Sequence, residues 1–296
     1  MEKSSLKQIT GIDALIPHEM AKKAAQVGVT KVRMGWRNMF ALSMMAGAFI
    51  ALGAGFSTIV TTGAAENLSF GVTKLVGGMA FSLGLILVVV AGAELFTGNN
   101  LIVMAWASRQ ISTRELLRNW GIVYLGNMAG SLATALLMLF TRQYLFSNGA
   151  VGLNILTIAD YKCGLPFIQA LTLGIFCNAL VCMAVWLCFS CHSTTDRILA
   201  VIFPIAAFVA GGFEHSVANM YFIPMGLFVK TFSVPEFWSL TGHSAGDFGT
   251  LNIVNFLLHN LLPVTLGNIF GGSVMVGLVY WFIYIRKPRV SPFAVD

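Results

Sequence analysis

The sequence predicts an all-α membrane protein, with six transmembrane helices in an inverted repeat of three plus three and with helices two and five broken. Three observations carry this. Of 296 residues, 57% are hydrophobic and only 10% are charged, whereas a soluble domain carries about 25% charged residues to coat its surface. Six segments are apolar enough to cross a hydrocarbon layer of ~30 Å, which takes about 20 residues of helix. A pattern of asparagine and glycine also recurs late in the chain at a fixed offset.

Residues 1–37 read as a cytoplasmic segment. They hold seven Lys or Arg and no continuous apolar core, so no signal peptide is expected. Within them, Ile16 to Val27 reads as a short amphipathic helix, started by Pro17 and ended by Gly28. Ile16, Met20 and Val27 form its apolar face, and Glu19, Lys22, Lys23 and Gln26 its polar face. It is either an interfacial anchor or a gate at the cytoplasmic mouth.

The six-span transmembrane domain follows over 38–285, in halves 38–146 and 165–285. Asn38 to Val60 is the first span. Leu75 to Ala93 begins the second, which stops at Glu94 and resumes from Leu95 to Ser108. Asn119 to Thr141 is the third and Leu165 to Cys188 the fourth. Ile198 to Phe213 begins the fifth, which is interrupted by Glu214 and His215 and resumes from Ser216 to Val229. The last runs from Leu257 to Ile285, and 286–296 is a cytoplasmic tail.

Basic residues orient the spans. The termini and the loops on their side hold 14 Lys or Arg, and the opposite side holds only Lys74, Arg142, Lys162 and Lys230. Both termini are therefore expected in the cytoplasm. The net charge of +6 does not point to nucleic acid, because the basic residues flank apolar runs and form no patch with interleaved aromatics. Of the five cysteines, Cys177, Cys182, Cys188 and Cys191 fall in or beside one apolar run, which does not resemble a disulfide framework.

The second and fifth segments share an anomaly. Leu75 to Ser108 would be about 51 Å long as one helix, more than the bilayer holds. Each segment carries a Glu inside it, with backbone breakers nearby: Thr97, Gly98, Asn99 and Asn100 in one, Gly211, Gly212 and Pro224 in the other. Irregular backbone at membrane depth must be buried in protein or line a cavity. Asn119, Gly126, Asn127 and Gly130 recur as Asn260, Gly267, Asn268 and Gly271, offset by 141. Each copy contains a GxxxG, which permits close helix approach. A unit of three spans reverses direction between copies, so the solute site is expected near the midplane between the broken helices.

His215 is the one histidine at a span interruption. Burial favours its neutral ring, which either exchanges a proton with an anion or merely satisfies the backbone of a broken helix. Glu94 and Glu214 sit at matching breaks and are expected to accept from exposed N–H groups of the half-helices, with a proton relay as the alternative. Lys162 follows Asp160 on the external loop after the third span, where it either attracts anions or is a solvated loop charge.

Other motifs carry less. Cys188-x-x-Cys191-His192 has the spacing of c-type haem attachment, but the charge bias places it on the wrong side of the membrane. Asn67-Leu68-Ser69 is a weak glycosylation sequon. No H-E-x-x-H, G-x-S-x-G or P-loop occurs, so no enzyme activity, metal or cofactor is expected.

The runs KLVGGMAFSLGLILVVVAGAELFTGNNLIV, GFEHSVANMYFIPMG and LLPVTLGNIFGGSV closely resemble the formate/nitrite transporter family, nearest to its bacterial formate channels, from Leu15 to Arg286. The resemblance implies an aquaporin-like fold in the bacterial inner membrane, assembled as a homopentamer with a pore in each protomer. It implies passage of formate, with leakage of nitrite, acetate and similar small monovalent anions. The family's cytoplasmic constriction falls on Leu85, Leu95 and Phe96, and its outer constriction on Phe81, Val181 and Phe208. Between them its histidine and threonine match His215 and Thr97, while Asn178, Asn268 and Lys162 match further polar positions of the pathway. Leu95 to Asn100 matches a movable loop, although TGNN departs from the small, hydroxyl-rich segment of the family pattern. Nitrite or hydrosulfide passage is the alternative within the family. A neutral-solute channel is disfavoured, because paired Asn-Pro-Ala motifs are missing.

Overall fold

The computed structural model describes residues 14–64 and 68–286. The described chain is helical. A helix α1 (Pro17–Arg33) leads into α2 (Trp36–Thr61) and α3 (Phe70–Ala91). After a break come the short α4 (Phe96–Asn99), a 3-10 turn at Asn100–Ile102 and α5 (Val103–Ala107). The first half ends with α6 (Thr113–Phe140). The second half is α7 (Ala150–Cys163), α8 (Phe167–Ser190), α9 (Thr194–Ala210), α10 (Ser216–Phe232) and α11 (Pro235–Thr241). The final span, Asn255–Tyr284, is π-helical at Asn255–Leu261 and Phe270–Leu278, with α12 (Leu262–Ile269) between them and α13 (Val279–Tyr284) at the end.

Five helices among the described residues are long and apolar enough to cross a bilayer: α2, α3, α6, α8 and Asn255–Tyr284. The fifth segment is split into α9 and α10, 17 residues each, and α10 bends by 101° into α11. Large apolar side chains such as Phe140, Phe203 and Ile168 are exposed at 72%, 75% and 71%. A surface of that kind is solvated by lipid or by another subunit, not by water.

Both breaks are built the same way. Gly92 ends α3 at φ 83°, and Gly212 follows α9 at φ 66°, a left-handed conformation that glycine adopts without a Cβ penalty. The next amides fold back identically: Ala93 N–H donates to the Val88 carbonyl and Phe213 N–H to the Phe208 carbonyl. The first break therefore lies at Gly92 to Leu95, earlier than the TGNN segment, which is already helical. Pro224 breaks nothing. It is buried inside α10.

The inverted repeat extends to individual hydrogen bonds. Glu94 N–H donates to the Leu42 carbonyl, and Glu214 N–H to the Leu173 carbonyl, both at 3.3 Å. The repeated glycines mark the closest approaches. A Cβ on Gly130 would meet the Met44 carbonyl oxygen at 1.9 Å, and one on Gly271 would meet that of Ile175 at 2.0 Å. Here α6 lies on α2 and the final span lies on α8, backbone against backbone.

Two sequence expectations need correction. The amphipathic helix does not end at Gly28 but runs on to Arg33, because Gly28 is a packing site: its Cβ position lies 3.2 Å from the Ala105 Cβ. Its buried face is made chiefly of Met20, Ala21, Ala24, Ala25 and Val32, while Ile16 is 60% exposed. The stretch after the third span is not a loop but α7, placed in the second half as α1 is in the first. The repeat unit is thus a short helix followed by three spans. The Asn67 sequon and residues 287–296 of the tail lie outside the described residues.

Candidate functional site

The two breaks face one another at the centre of the protein. Leu95 and His215 immediately precede the second half-helices, α4 and α10. The first N–H groups of a helix have no intrahelical partner, and here the protein supplies them. Asn127 Oδ1 accepts from Phe96 N–H, while its Nδ2 donates to the Ser43 and Glu94 carbonyls. Asn268 Oδ1 accepts from Ser216 N–H, while its Nδ2 donates to the Gly174 and Glu214 carbonyls. These are the repeated asparagines, and each holds one break shut.

The glutamates do not cap backbone N–H groups. Each lies in a buried polar triad with an ammonium beside it. Glu94 pairs with Lys31 at 3.0 Å and accepts from Asn99 Nδ2 at 2.8 Å, and Asn99 also donates to Asn119. Glu214 pairs with Lys162 at 2.7 Å and accepts from Asn219 Nδ2 at 2.7 Å, and Asn219 also donates to Asn260. With Asn127 and Asn268 on the backbone, the carboxylates are left for the lysines. Lys162 is accordingly no loop charge: it sits at the end of α7, 13% exposed, with Nζ 5.3 Å from the Phe222 ring centre. The two networks differ at their asparagines: Asn260 Nδ2 donates to Glu214 and to the Lys162 carbonyl, whereas Asn119 Nδ2 points to Met39 Sδ. Lys31 also donates to Asn99 Oδ1, whereas Asn219 Oδ1 is buried with no partner.

Between the breaks, Thr97 Oγ1 and His215 Nε2 are 3.0 Å apart. His215 Nδ1 accepts from Ala218 N–H at 3.0 Å and so caps α10. A ring nitrogen that accepts carries no proton, so the neutral ring holds its proton on Nε2 and donates it to Thr97. Phe208 stacks over the imidazole with centroids 6.0 Å apart, and Phe81 meets Phe208 edge-on at 5.4 Å.

Two cavities approach this pair from opposite sides. One, of about 580 Å³, is walled by Phe81, Lys162, Phe208, Asn219, Phe222 and His215 among others. The other, of about 340 Å³, is walled by Lys23, Lys31, Leu85, Leu95, Cys188 and Arg197 among others. Phe81 and Leu85 stand one turn apart on α3, so the closed stretch between the cavities is about 6 Å deep.

The structure gathers some of the sequence-selected residues and separates others. Phe81, Phe208, His215 and Lys162 share one cavity, and Leu85 and Leu95 the other. Phe96 turns away, its ring edge-on to Trp120 and Tyr124. Val181 is buried on α8 and borders neither cavity. Asn178 is tied up by the Thr97 and Asn268 carbonyls and Asn100 Oδ1. The segment expected as a movable loop is helical, with Thr97, Asn99 and Asn100 at most 1% exposed. Sequence reasoning did not select Lys31, Asn99, Asn119, Asn219, Asn260 or Asn127 for the site. The repeat contains the signal, since three of the six belong to it, but its spacing points to an inverted topology and close helix approach and not to the partners of the asparagine side chains. All five cysteines are free thiols, and the described residues contain no group of three or more His, Cys, Asp or Glu placed to hold a metal.

Comparison with known proteins agrees with this architecture. The family model described as formate/nitrite transporter matches residues 18–282. The formate channel FocA of Escherichia coli K12 is 46% identical over 282 residues, covering 95% of this chain and 99% of that protein. A solved structure described as a pentameric formate channel with formate bound superposes with a TM-score of 0.81 at 49% identity, covering 85% of this chain and 98% of that one. A second, described as an FNT family ion channel, gives 0.76 at 30% identity, covering 90% and 98%. A chain with two facing helix breaks, two opposed cavities and this degree of likeness is a member of the formate/nitrite transporter family, whose proteins are membrane channels and transporters.

Proposed function

We propose that the protein is a channel for formate and similar small monovalent anions. It would work as a homopentamer in a bacterial inner membrane, with both termini cytoplasmic and one pathway per protomer. The observation that carries this reading is the buried His215–Thr97 pair at the closed stretch between two cavities, with His215 in the wall of the larger one beside Phe81 and Phe208. The relatives named as formate channels and the pentameric neighbour with formate bound support the substrate and assembly. The bias of basic residues supports the orientation.

Lys162 and Lys31 set a positive end of an ion pair beside each cavity, which favours an anion at either mouth. Phe81 and Phe208 on one side, and Leu85 and Leu95 on the other, oppose passage of a hydrated ion. A weak-acid anion that gains a proton crosses such a barrier as a neutral molecule. The His215 Nε2–H is the donor aimed at the closed stretch. The acid in this step is the imidazolium, formed when Nδ1 takes a proton from water at the cost of the Ala218 cap bond; after Nε2 gives its proton to the anion, the ring loses Nδ1–H and takes a proton back on Nε2, which restores the cap. Asn178, Asn268, Glu94 and Glu214 hold the breaks in register. Val181 and Phe96 back the apolar side chains.

The test is flux into liposomes holding the purified protein, measured for formate, nitrite, hydrosulfide, lactate and glycerol across pH, with wild type and His215→Asn. Asparagine is a good N-cap, so α10 keeps its start. The expected result is formate flux whose pH dependence is lost in the variant. Unchanged pH dependence removes the proton-exchange role, and glycerol flux without anion flux removes the channel reading. Nitrite is the second reading, since the family description covers it, and the same assay ranks the two.

A further inference from the structure

The Cys188-x-x-Cys191 pair has no role in the function proposed above, although Cys188 is in the wall of the smaller cavity. It closes α8, where Cys191 N–H donates to the Cys188 carbonyl. Cys188 Sγ donates to the Arg197 carbonyl at 3.9 Å, and Cys191 Sγ to the Leu187 carbonyl at 3.4 Å. Cys188 borders the smaller cavity, and Cys191 is the more exposed of the two. Residues three apart at a helix end have Cα atoms about 5 Å apart, inside the range of about 4.4–6.8 Å that a disulfide spans.

The same turn anchors α1. Lys23 Nζ donates to the Phe189 carbonyl at 2.8 Å, and Ser190 Oγ donates to the Leu15 carbonyl at 3.1 Å. Phe189 and Ser190 are the two residues between the cysteines. Helix α1 in turn walls the cavity through Lys23, Ala24, Gly28 and Lys31.

We propose that Cys188 and Cys191 form a reversible dithiol–disulfide site that controls how α1 is seated over the smaller cavity. The oxidant is a small-molecule disulfide of the glutathione class. The Cys191 thiolate attacks one of its sulfurs, forming a mixed disulfide and expelling one small thiolate. The Cys188 thiolate then attacks the Cys191 sulfur, closes the Cys188–Cys191 bond and expels the second. Two electrons pass from the protein to the small disulfide, and the two cysteine protons end on the two released thiols. Closing the bond takes both thiols off the Arg197 and Leu187 carbonyls and swings the two side chains together, which reorients Phe189 and Ser190 and weakens their bonds to Lys23 and Leu15.

Three charges face the pair. Arg197 and Lys23 favour the thiolate, and Asp196 opposes it. Burial, the largest effect, pushes the Cys191 thiol up, so exchange is slow at neutral pH and accelerates in mild alkali.

The test equilibrates the full-length protein in liposomes with oxidised glutathione and reads three things. These are alkylation of Cys188 and Cys191 by mass spectrometry, tryptic cleavage after Lys22 and Lys23, and formate flux, each with and without later dithiothreitol. The expected result is joint loss of both alkylations, faster cleavage in α1 and a roughly threefold rise in flux, all reversed by the reductant. Cys191→Ser should keep its reduced-state flux and lose the response. Three results would each overturn the proposal: both thiols still alkylable after equilibration, a disulfide that forms without changing cleavage or flux, or a response that survives in Cys191→Ser. The flux arm rests on the channel reading. If wild type carries no formate under any condition, that reading fails, while alkylation and cleavage still decide the thiol site.

Discussion

Thr97 and His215 lie 118 residues apart and meet at 3.0 Å. Each belongs to the first turn or cap of a half-helix, one from each copy of the repeat, so the contact forms only when the two halves dock. Thr97→Val keeps the side-chain shape and removes the hydroxyl. The bond is buried, and its loss leaves the His215 Nε2–H without an acceptor, a cost of about 1–3 kcal/mol. Formate flux in liposomes should fall several-fold while the oligomer on size exclusion stays intact. Wild-type flux in this variant would mean that the contact is incidental.

The ion pairs differ in burial, and their strengths should follow. In Lys162–Glu214 the side chains are 13% and 2% exposed, and in Lys31–Glu94 27% and 7%. Removing one partner of a buried pair costs about 3–5 kcal/mol, because the other charge is left stranded. Lys162→Met should therefore lower the melting temperature in detergent more than Lys162→Met combined with Glu214→Gln. A double-mutant cycle at Lys31–Glu94 should give a smaller coupling energy. Additive effects at Lys162–Glu214 would contradict this account.

Gly130→Ala and Gly271→Ala should each abolish recovery of folded protein. Each new Cβ would lie at 1.9 or 2.0 Å from a backbone carbonyl, which has no rotamer to escape to. Gly121→Ala is the control: nothing lies within 4 Å of its Cβ position, and alanine gains up to about 1 kcal/mol in a helix. Thermal melts of the three variants decide the matter. Normal melting of Gly130→Ala would show that α2 and α6 separate more easily than their contact suggests.

Asn268→Ala removes the acceptor for Ser216 N–H and two donated bonds, to Gly174 and Glu214. Each orphaned buried group costs about 1–3 kcal/mol. Hydrogen exchange should rise sharply at the start of α10 and stay low in the middle of α2. Unaltered protection of Ser216 would show that the break is held by something else.

Phe208→Ala should open the larger cavity toward the closed stretch, since Phe208 packs on both Phe81 and His215. The expected outcome is faster flux with weaker discrimination against lactate, read in the same liposome assay. Unchanged selectivity would take Phe208 out of the barrier.

Much of this was legible along the chain. The runs of uncharged residues determine that the protein lies in a membrane, because lipid rewards apolar surface wherever it faces. The Asn/Gly repeat determines an inverted fold, and Glu94 and Glu214 mark where the helices break. Other things depended on residues far apart in sequence. Local pattern gives Lys162 to a loop and ends α1 at Gly28, yet Lys162 is drawn into a partly buried pair by Glu214 and Gly28 is buried against Ala105. The asparagines looked like packing residues because a side-chain amide shows its partner only after the chain has folded. Which polar group finds which partner is settled by docking of the two halves, since an unpaired donor in a dry interior is costly and only the assembled interior offers its acceptor.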